Sequence, residues 1–598
     1  MTYYAHFIIP FTLGVIVLFA IVIFNYCKWL YELPREQKQL IYKGVFSKKS
    51  IDAIREVFME SLLHRRIFKT NPLLGYMHMS LAFGWFLLIA VGWIETTAYL
   101  GGEMVPPHIH VFFKYFSKGL EHNHAVVDFG FIMDLLLLFV LTGVALAWFK
   151  RLRSKSLGMR KTTKHTLGDK IALSALWFVF PLRLLAESTT SAICSSGSFL
   201  TGSLGSLLSK ILNPDGLVIL ENISWWAYSA ALGLFFVSMP FSRYMHIFTE
   251  IPLIFLRHYG IKSGDKKSSF DNFQLQACSR CGICIDPCQL SRDALINNVQ
   301  SVYFIRDRRY GNLKSEVVDN CLMCGRCAEA CPVNIDVNTL RLNSRAEMRD
   351  GLSESKYDYL KSVDTSSGEG RVGYFAGCMT QLTPTILRSM AAIFEAVGED
   401  VWWADRNGGV CCGRPLKLSG ELTAAKKLMD FNEELFIKHG ITTLVTSCPI
   451  CLKVFKEEYN LEGIEVLHHS EYFERLISEK RLNLPKSELK YTYHDPCELG
   501  RGSGIYDQPR QVIFNVGDII ELNENREMGY CCGSSLANLQ ISDQQQLMIS
   551  SALSERITET KADAVVSACP LCKKAIARSS KIPVYDISEV VASALLKE

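Results

Sequence analysis

The sequence predicts a multidomain protein: a five-helix transmembrane bundle, an α-helical segment rich in cysteine, and two duplicated α/β lobes. Three observations lead to this prediction. Five long apolar stretches occupy the first 260 residues, eighteen of the 20 cysteines follow residue 270, and the spacing of the last ten cysteines repeats once. With 598 residues the chain is long enough for several hydrophobic cores. We therefore predict domains at 1–260, 261–355, 371–486 and 487–598.

Each of the five apolar stretches is long enough to cross a bilayer as a helix. A helix buried in a soluble core seldom stays apolar around its whole circumference over such a length. The first stretch has no basic region before it and no small-residue cleavage site after it, which favours a membrane span over a signal peptide. The predicted spans lie near residues 5–30, 73–100, 126–149, 170–193 and 222–256.

The charges of the connecting loops predict the orientation of the bundle. Residues 28–71 and 150–170 are rich in lysine and arginine, whereas 101–125 and 194–221 carry few basic residues. Because basic loops tend to remain on the cytoplasmic side, five spans place everything after residue 260 in the cytoplasm. We predict a multi-pass protein of a bacterial or archaeal inner membrane, with its cysteines under the reducing conditions of the cytoplasm.

Two histidines in the predicted spans are candidate haem ligands. His78 lies early in the second span and His246 late in the fifth, both towards the cytoplasmic side. Imidazole is an axial ligand of haem iron, and two helices that each offer one at matching depth can hold a haem b between them. A single interfacial histidine needs no ligand, but histidines inside membranes are rare and usually functional. Whether a second haem is present is left open by the sequence. Its candidate ligands lie in an outer loop: His108, His110, His122 and His124.

Five ionisable residues fall in the outer halves of the predicted spans. Such groups are costly in hydrocarbon, so they indicate a polar cavity or a proton path, as a quinone headgroup would require. The alternative is structural ion pairing, for example of Arg183 with Glu187 one turn later, and the two interpretations are compatible. The five residues are Glu95, Asp128, Asp134, Arg183 and Glu187.

A polar linker, residues 262–272, leads into two runs of four cysteines with the spacing Cys-x-x-Cys-x-x-Cys-x-x-x-Cys. This is the run of bacterial two-cluster ferredoxins, in which three close thiolates bind one [4Fe–4S] cluster and the fourth binds the other. Two closed zinc sites fit this eight-cysteine pattern poorly, and disulfides favour small extracellular domains. The predicted ligand sets are Cys278, Cys281, Cys284 and Cys331 for one cubane cluster, and Cys321, Cys324, Cys327 and Cys288 for its neighbour.

The chain repeats itself from about residue 371. Cys-Cys-Gly recurs at Gly413 and Gly533, and Cys-Pro-x-Cys recurs at Pro449 and Pro570. A repeat of this kind predicts two similar α/β lobes, with cysteines at the ends of the predicted strands Arg371–Phe375, Thr443–Thr446 and Ala564–Ser567. The repeated cysteines are Cys378, Cys411, Cys412, Cys448 and Cys451 in the first lobe, and Cys497, Cys531, Cys532, Cys569 and Cys572 in the second.

No nucleotide-binding motif in the sequence has its required context. Gly368-x-Gly370-x-x-Gly373 fits a dinucleotide fingerprint by its letters, but it precedes a predicted strand, whereas the motif should follow a strand and open a helix. We interpret it as a linker. The sequence therefore predicts no flavin or nicotinamide site in this chain, and we expect no nucleic-acid partner.

The repeated cysteines, from Cys378 to Cys572, resemble the cysteine-rich CCG domain of heterodisulfide reductase catalytic subunits and of related dehydrogenase iron–sulfur subunits. The resemblance covers residues 371–598. It implies that the five cysteines of each complete motif bind one [4Fe–4S] cluster, cubane or non-cubane, and form the catalytic centres.

The first 260 residues resemble the five-helix cytochrome b subunits of nitrate reductase and membrane heterodisulfide reductase, through the helix count and the positions of His78 and His246. The order of cytochrome, two-cluster ferredoxin and CCG lobes resembles membrane iron–sulfur proteins that oxidise electron-transfer flavoprotein with menaquinone. This resemblance implies a membrane-bound oxidoreductase of a respiratory chain, passing electrons between a cytoplasmic flavoprotein and the quinone pool. The alternative is a quinol-dependent heterodisulfide or disulfide reductase, and a zinc-stabilised scaffold is a third class.

Overall fold

The computed structural model describes residues 4–102, 105–118, 128–152, 165–264, 268–350, 363–408, 410–536 and 539–596. The chain forms two compact units. The first consists of Met1–Lys262 with Ser268–Gly282, and the second of Ser263–Lys267 with Ile283–Glu598.

The first unit contains five helices that are long and apolar enough to cross a membrane, as the sequence predicts. Three of them begin at side-chain caps: Asn71 accepts a hydrogen bond from the Leu74 N–H, Asn213 accepts one from the Gly216 N–H, and Thr166 forms a capping box with Asp169. The five candidate spans are His6–Tyr31, Pro72–Tyr99, Phe129–Lys150, Leu167–Cys194 and Pro214–Phe241.

The predicted fifth span, 222–256, is wrong at both ends. The long helix ends at Ser238, a short 3-10 turn Met239–Phe241 follows, and a separate helix runs over His246–His258. Pro240 lacks the N–H that would continue the helix, and the backbone of Ser242 is extended, so the apolar run is divided in two. His246 therefore begins a shorter helix after the fifth span.

The membrane helices pack through small residues and a central aromatic core. The fourth helix packs along the fifth, the second along the third, and the first along the fifth. At the last contact a Cβ atom on Gly14 would lie 2.7 Å from the Gly233 Cα, so the two backbones approach as closely as glycine allows. Trp225 and Phe112 lie in the buried core of this unit.

The shorter helices of the first unit connect or flank these spans. Helix Ser269–Ala277 lies against the first span, where Phe273 packs edge to face on Trp29 with the ring centroids 5.0 Å apart. The others are Arg35–Val45, Lys48–Glu56, Arg65–Thr70, His108–Val111, Phe113–Phe116 and Thr201–Ile211, with a π-helical turn at Val57–Leu62.

The second unit opens with short helices and loops that carry six of the eight cysteines of the two predicted ferredoxin runs. Its first helices are Gln289–Arg292, Ser301–Arg309, Ser315–Asp319, Arg326–Glu329 and Val337–Arg349. The region is α-helical, as predicted.

Two four-stranded parallel sheets follow, one in each predicted lobe, and they have the same topology. The strand orders are β2-β1-β3-β4 and β6-β5-β7-β8, where the first strand of each lobe lies second in its sheet. The three strands expected from the sequence are confirmed as β1, β3 and β7. The strands are β1 Val372–Phe375, β2 Val401–Trp403, β3 Thr443–Thr446, β4 Glu465–His468, β5 Lys490–His494, β6 Asp518–Ile519, β7 Ala564–Ser567 and β8 Val584–Asp586.

Helices cover both sheets, and the two lobes share one hydrophobic core. Helix Pro384–Ala396 of the first lobe packs on Ile587–Leu595 of the second, and Tyr374 and Tyr493 lie in the common buried cluster. The remaining helices are Cys378–Gln381, Arg414–Ser419, Leu422–Lys438, Pro449–Glu457, His469–Ser478, Gly500–Ser503, Asp507–Val516, Asp543–Glu559 and Pro570–Ala577.

Candidate iron–sulfur site

The first lobe brings its five repeated cysteines into one connected group. Cys378 follows strand β1, and Cys448 follows β3. Because these parallel strands end at the same edge of the sheet, the two cysteines lie at that edge. The thiols are linked by hydrogen bonds in the order Cys378, Cys411, Cys412, Cys451 and Cys448. All but Cys378 are buried.

The second lobe repeats this arrangement at equivalent positions. Its thiols are hydrogen-bonded in the order Cys497, Cys531, Cys532, Cys572 and Cys569. Here Cys497 is the partly exposed member and the other four are buried. Each lobe therefore presents five adjacent sulfur atoms with one accessible edge.

The second cysteine of each adjacent pair has a thiol with a lowered pKa. Hydrogen bonds from Cys411 and Cys451 lower the pKa of Cys412 to about 6. Hydrogen bonds from Cys531 and Cys572 likewise lower the pKa of Cys532 well below its usual value. Thiolate is the form that binds iron, so these sulfur atoms at the centre of each group are prepared for it.

The glycine of each Cys-Cys-Gly motif is required by its backbone. Gly413 and Gly533 have φ values of 81° and 84°, in the left-handed region that side chains other than glycine rarely adopt. A Cβ atom on Gly533 would also lie 2.8 Å from the Gln546 carbonyl oxygen. The motif thus turns the chain sharply after the two cysteines.

The second predicted ferredoxin set lies wholly in the second unit. Cys288 is within electrostatic range of Cys321, Cys324 and Cys327, so the fourth cysteine of the first run lies with three of the second. Burial, followed by repulsion from the neighbouring sulfur atoms, raises the pKa values of Cys288 and Cys327 to about 12. These four residues are placed as cross-ligation between two cubane clusters requires.

This set touches the second lobe directly. A hydrogen bond between the Cys324 and Cys531 thiols lowers the pKa of Cys324 to about 5. Gln289 makes two further bonds here: its side-chain amide donates to the Cys531 carbonyl at 3.1 Å and accepts from the Cys531 N–H at 2.8 Å. Arg501 donates to the Cys324 carbonyl at 2.6 Å.

The two lobes also meet through sulfur, because Cys569 is within electrostatic range of Cys448. Fourteen cysteines of the second unit therefore form three neighbouring groups in the order first lobe, second lobe, ferredoxin set.

The other predicted ferredoxin set is divided between the units. Cys284 and Cys331 belong to the second unit, whereas Cys278 and Cys281 belong to the first. Cys278 lies near Arg243, and Cys281 lies near Lys150 at the end of the third membrane helix.

A buried ion pair fixes the loop between Cys278 and Cys281 within the first unit. Arg280, with a left-handed backbone, pairs with Asp169, and both side chains are almost fully buried. Asp169 also accepts a hydrogen bond from the Arg243 N–H at 2.8 Å and belongs to the capping box of the fourth membrane helix. The sequence does not reveal this pair, because its members are far apart in the chain.

The candidate haem ligands lie near each other in the first unit. His78 is partly buried in the second membrane helix, within electrostatic range of His246 and Lys150. The His246 Nδ1 lies 2.7 Å from the Arg243 carbonyl oxygen, a contact typical of histidines whose other nitrogen binds a metal.

A third histidine was missed by the sequence reasoning. The ring of His64 stacks on that of His78, with the centroids 5.5 Å apart, and its Nδ1 lies 3.1 Å from the Leu62 carbonyl oxygen. Burial lowers the pKa of His64, which keeps its imidazole neutral. Its position in a basic loop gave no signal, because only the left-handed turn at residue 64 brings it to His78.

The histidines considered for a second haem are only partly described. His108 and His110 lie on the short helix His108–Val111, and His110 Nδ1 has no hydrogen-bond partner among the described residues. His122 and His124 lie outside the described residues.

The five outer ionisable residues serve different purposes. Arg183 Nε donates to Glu187 at 2.8 Å, the ion pair that the sequence suggests. Asp128 accepts from the Phe131 N–H at the start of the third membrane helix, and Asp134 accepts from the Leu200 and Thr201 N–H groups. These two aspartates act as structural caps.

Glu95, Tyr228 and Glu221 are further buried polar residues of the membrane helices. Glu95 lies within electrostatic range of Arg183 and Glu187. Tyr228 of the fifth membrane helix hydrogen-bonds to Arg183. Nearby, Glu221 accepts from Thr190 at 2.6 Å and pairs with Lys118. Burying this many polar groups between membrane helices costs free energy, so their presence favours a function.

A cavity of about 630 Å³ lies in the second unit. Tyr530, the residue before Cys531, forms part of its wall together with Arg292 and Arg556. Three guanidinium groups surround the Tyr530 ring, those of Arg556, Arg326 and Arg292, at 4.1, 4.4 and 4.6 Å from its centroid.

No group of three or more His, Cys, Asp or Glu side chains in the described part of the chain is arranged to hold a single metal ion. A cluster of several irons has a different requirement, since its thiolates must surround it at separate corners. The connected groups of four or five thiols fit that requirement.

The fold and these cysteine groups define a class, the membrane-associated iron–sulfur oxidoreductases. Residues 372–456 and 491–577 match the family described as a cysteine-rich domain, CCG, and residues 274–335 match a 4Fe-4S dicluster domain.

Among curated proteins the chain is similar to an EtfAB:quinone oxidoreductase from Syntrophomonas wolfei. The two are 23% identical, and the alignment covers 93% of each chain. Two further relatives match about half of this chain. One of them, from Methanothermobacter marburgensis, belongs to a CoM/CoB fumarate reductase and is 26% identical over 51% of this chain and 68% of its own length. The other, from Methanosarcina acetivorans, belongs to a dihydromethanophenazine:CoB–CoM heterodisulfide reductase and is 25% identical over 54% of this chain and 94% of its own length.

Proposed function

We propose that this protein passes electrons between a cytoplasmic flavoprotein, such as an electron-transfer flavoprotein, and quinone in the membrane. The observation that carries the proposal is the unbroken order of cysteine groups from the first lobe to the ferredoxin set. The similarity to an EtfAB:quinone oxidoreductase along nearly all of both chains supports the same pair of partners.

The cysteine groups would hold the iron–sulfur clusters. In each lobe the five thiols would bind one [4Fe–4S] cluster, and the eight cysteines from Cys278 to Cys331 would bind two cubane clusters between them. Such clusters supply one-electron carriers. The residues of this chain bury the sulfur atoms in apolar surroundings and keep neighbouring groups in contact, as at Cys324 and Cys531.

The histidines of the first unit would hold a haem b. His78 would be one axial ligand, and His246 or His64 the other, because both keep Nδ1 on a carbonyl oxygen and are thereby oriented through Nε2. A haem so held supplies a further one-electron carrier inside the membrane. The proximity of Lys150 to both Cys281 and His78 supports a haem close to a cluster ligand.

The buried polar group of the membrane helices would serve the quinone. Quinone reduction consumes two protons and two electrons, so its site needs groups that hold and transfer protons. Glu95, Glu187 and Tyr228 lie around Arg183 in the outer part of the bundle and can do so. Glu221 with Lys118 would connect this group to the outer loops. We place the cysteine-rich unit in the cytoplasm of a bacterial or archaeal cell, following the basic loops.

The proposal is tested with anaerobically purified protein in lipid nanodiscs. Reduced electron-transfer flavoprotein and a soluble quinone analogue are added, and quinone reduction is followed optically. We expect turnover that is lost when the flavoprotein is omitted. Protein that contains iron and haem yet gives no turnover with any reduced flavoprotein would overturn the proposed donor.

A second candidate is reduction of a disulfide by electrons from quinol. The observation in its favour is the accessible edge of each thiol group at Cys378 and Cys497, where a substrate sulfur could approach a cluster iron. The similarity to a heterodisulfide reductase component over 94% of its length points the same way. Quinol-dependent consumption of a small disulfide, with no flavoprotein oxidation, would favour this candidate over the first.

The haem assignment has its own test. His78→Ala should abolish the reduced-minus-oxidised haem spectrum, because His78 is common to both ligand pairs. Comparison of His64→Ala with His246→Ala then identifies the second ligand by which one loses haem. His439→Ala, which alters a histidine on the lobe surface beside Trp402, is the control and should retain the haem spectrum. A His78→Ala protein with unchanged haem content would rule out the site.

A further inference from the structure

Two short helices directly follow the first membrane helix and form a compact hairpin. They run over Arg35–Val45 and Lys48–Glu56, and Ser47 caps the second by accepting a hydrogen bond from the Lys49 N–H. The chain then passes through the π-helical turn Val57–Leu62 towards the second membrane helix. We call residues 35–58 the juxtamembrane hairpin.

One side of the juxtamembrane hairpin is fixed to the helix that begins at His246. Gly44 packs on the Tyr259 ring so closely that a Cβ atom could not be added without a clash. The Ser50 hydroxyl lies 2.9 Å from the Tyr259 hydroxyl, and Glu56 pairs with Arg257 and with His258. These contacts leave the hairpin little freedom to turn its other side inwards.

The other side exposes large apolar side chains. Tyr42 and Phe46 are 77% and 89% exposed, and Ile51 is 67% exposed. Ile51, Ile54 and Phe58 follow each other at helical spacing, so they form one stripe along the hairpin. Exposed apolar stripes of this kind mark surfaces that are covered by another apolar phase.

The stripe is continuous with the lipid-facing surface of the second membrane helix. Phe58 packs edge to face on Phe83, with the centroids 6.1 Å apart, and Phe83 stacks on Phe86 at 6.4 Å. Phe86 is itself half exposed in a helix long enough to span a membrane. The hydrophobic surface of the bundle therefore runs on into the hairpin without interruption.

Basic side chains flank the stripe. Residues 32–56 contain six lysines and arginines and four acidic residues, one of which, Glu56, is neutralised by Arg257. Lys43, Lys48, Lys49 and Arg55 are at least partly exposed. A helix with an apolar face and exposed lysines lies in the plane of a membrane interface, with its ammonium groups at the lipid phosphates.

We propose that the juxtamembrane hairpin binds anionic phospholipid in the cytoplasmic leaflet. Tyr42, Phe46, Ile51, Ile54 and Phe58 enter the boundary between headgroups and acyl chains, and Lys43, Lys48 and Lys49 contact the phosphates. Continuity with a membrane span selects lipid as the occupant over a soluble protein. The proposal depends only on the membrane spans, and it holds whatever the electron donor is.

The proposal predicts lipid-dependent protection of the hairpin amides. The full-length holoprotein is placed in nanodiscs of phosphatidylcholine, with or without phosphatidylglycerol, and hydrogen exchange of residues 35–58 is measured. We expect exchange to be about thirtyfold slower with phosphatidylglycerol, as two lysines near an anionic surface would produce. Lys48→Glu with Lys49→Glu should remove this difference, whereas Ile51→Asn with Ile54→Asn should speed exchange in both lipids.

The matched control is Lys561→Glu with Lys581→Glu, a double charge reversal at exposed lysines of the second lobe, which should leave the lipid dependence unchanged. Equal exchange of the hairpin in both lipids, or a lipid dependence that survives Lys48→Glu with Lys49→Glu, would overturn the proposal. Protection that appears in detergent and rises with protein concentration would identify a second copy of the chain as the occupant and would also overturn it.

Discussion

The two lobes of the cysteine-rich half have the same fold and the same order of thiols, yet their surroundings differ. The residue before the adjacent cysteines is Val410 in the first lobe and Tyr530 in the second. Three guanidinium groups surround Tyr530, whereas an aliphatic side chain offers no such contact. Only the second lobe, among the described residues, hydrogen-bonds its thiols to the ferredoxin set, through Cys531 and Cys324.

The loop that leads into the first cysteine of each lobe is also held differently. In the first lobe the buried Asp405 accepts hydrogen bonds from the Ala376 and Gly377 N–H groups. In the second lobe Asp495, two residues before Cys497, pairs with Arg510 at 2.8 Å. The two lobes thus share their scaffold and their sulfur positions. The differences around these sulfur atoms indicate that the second lobe joins the ferredoxin set and that the first lobe lies at the far end of the three cysteine groups.

The largest effect should come from removing the sulfur atom at the junction. Cys531→Ser deletes the thiol that contacts Cys324, so we expect transfer from flavoprotein to quinone to fall by more than about tenfold, equivalent to at least about 1.4 kcal/mol of barrier. Cys411→Ser alters the equivalent thiol of the first lobe, which does not contact the ferredoxin set in this way. In that variant a small chemical reductant should still reduce the ferredoxin clusters, because it can reach them directly. Stopped-flow spectra of both variants, with iron content as the control, measure this.

A Cys531→Ser protein that passes electrons at the normal rate, while Cys411→Ser does not, would reverse the order of the two lobes.

The next effect concerns the ion pair of the second lobe. Arg510→Gln leaves Asp495 buried without its cation, and breaking a buried pair in this way costs about 3–5 kcal/mol of stability. Arg510→Lys should recover only part of it, because Arg510 also contacts Glu521 through a forked geometry that lysine lacks. The measurement is the denaturant midpoint at which iron–sulfur absorbance is lost.

Arg475→Gln of the first lobe is the matched control, since it breaks a more exposed pair with Glu465 and should cost less than about 1 kcal/mol. Equal losses for both variants would show that the loop before Cys497 does not depend on Arg510.

The first lobe should instead respond to pH through Asp405. Burial raises the pKa of Asp405 to about 6, in spite of hydrogen bonds from two backbone N–H groups. The folded state then holds this proton more tightly than the unfolded state, so stability is full below about pH 4 and falls as pH rises to about 6, by roughly 3 kcal/mol in all. Asp405→Asn should flatten the curve of denaturant midpoint against pH in that range.

Asp430→Asn, which removes an exposed carboxylate on the same lobe, should keep the slope of the unaltered protein. A slope that is identical in all three proteins would mean that Asp405 is not protonated on folding.

Much of this architecture could be predicted from the sequence because its signals are local. The spans follow from apolar length, strands β1, β3 and β7 follow from short apolar runs before cysteines, and the lobes follow from the repeat. The spacing also groups Cys288 with Cys321 and its neighbours, as the structure places them. The spans and strands rest on residues close together in the chain, and the lobes and the cysteine group rest on repeated spacings.

The contacts that sequence reasoning missed join distant segments. The pair Arg280 and Asp169, the stacking of His64 on His78, and the contact of Cys324 with Cys531 all depend on packing. The end of the fifth span was wrong because hydropathy continues through Pro240, where the hydrogen-bonded helix does not. Apolar composition reports the surroundings of a segment and gives little information about backbone breaks inside it.

The smallest and most specific effect should be electrostatic. Arg326 stacks on Tyr530, is almost fully buried, and has its nearest carboxylate, Glu524, at 3.6 Å. A buried cation favours the more negative, reduced state of nearby clusters, and one charge is worth on the order of 1 kcal/mol at such a site, or about 40 mV for one electron. Arg326→Gln should therefore lower the midpoint potential of the second-lobe cluster.

Arg406→Gln is the matched control, because it removes a guanidinium stacked 4.4 Å from the Trp403 ring in the first lobe. It should leave the midpoint potential of the second-lobe cluster unchanged. Redox titration followed by electron paramagnetic resonance separates the two outcomes, and equal shifts in both variants would mean that the guanidinium groups around Tyr530 do not distinguish the lobes.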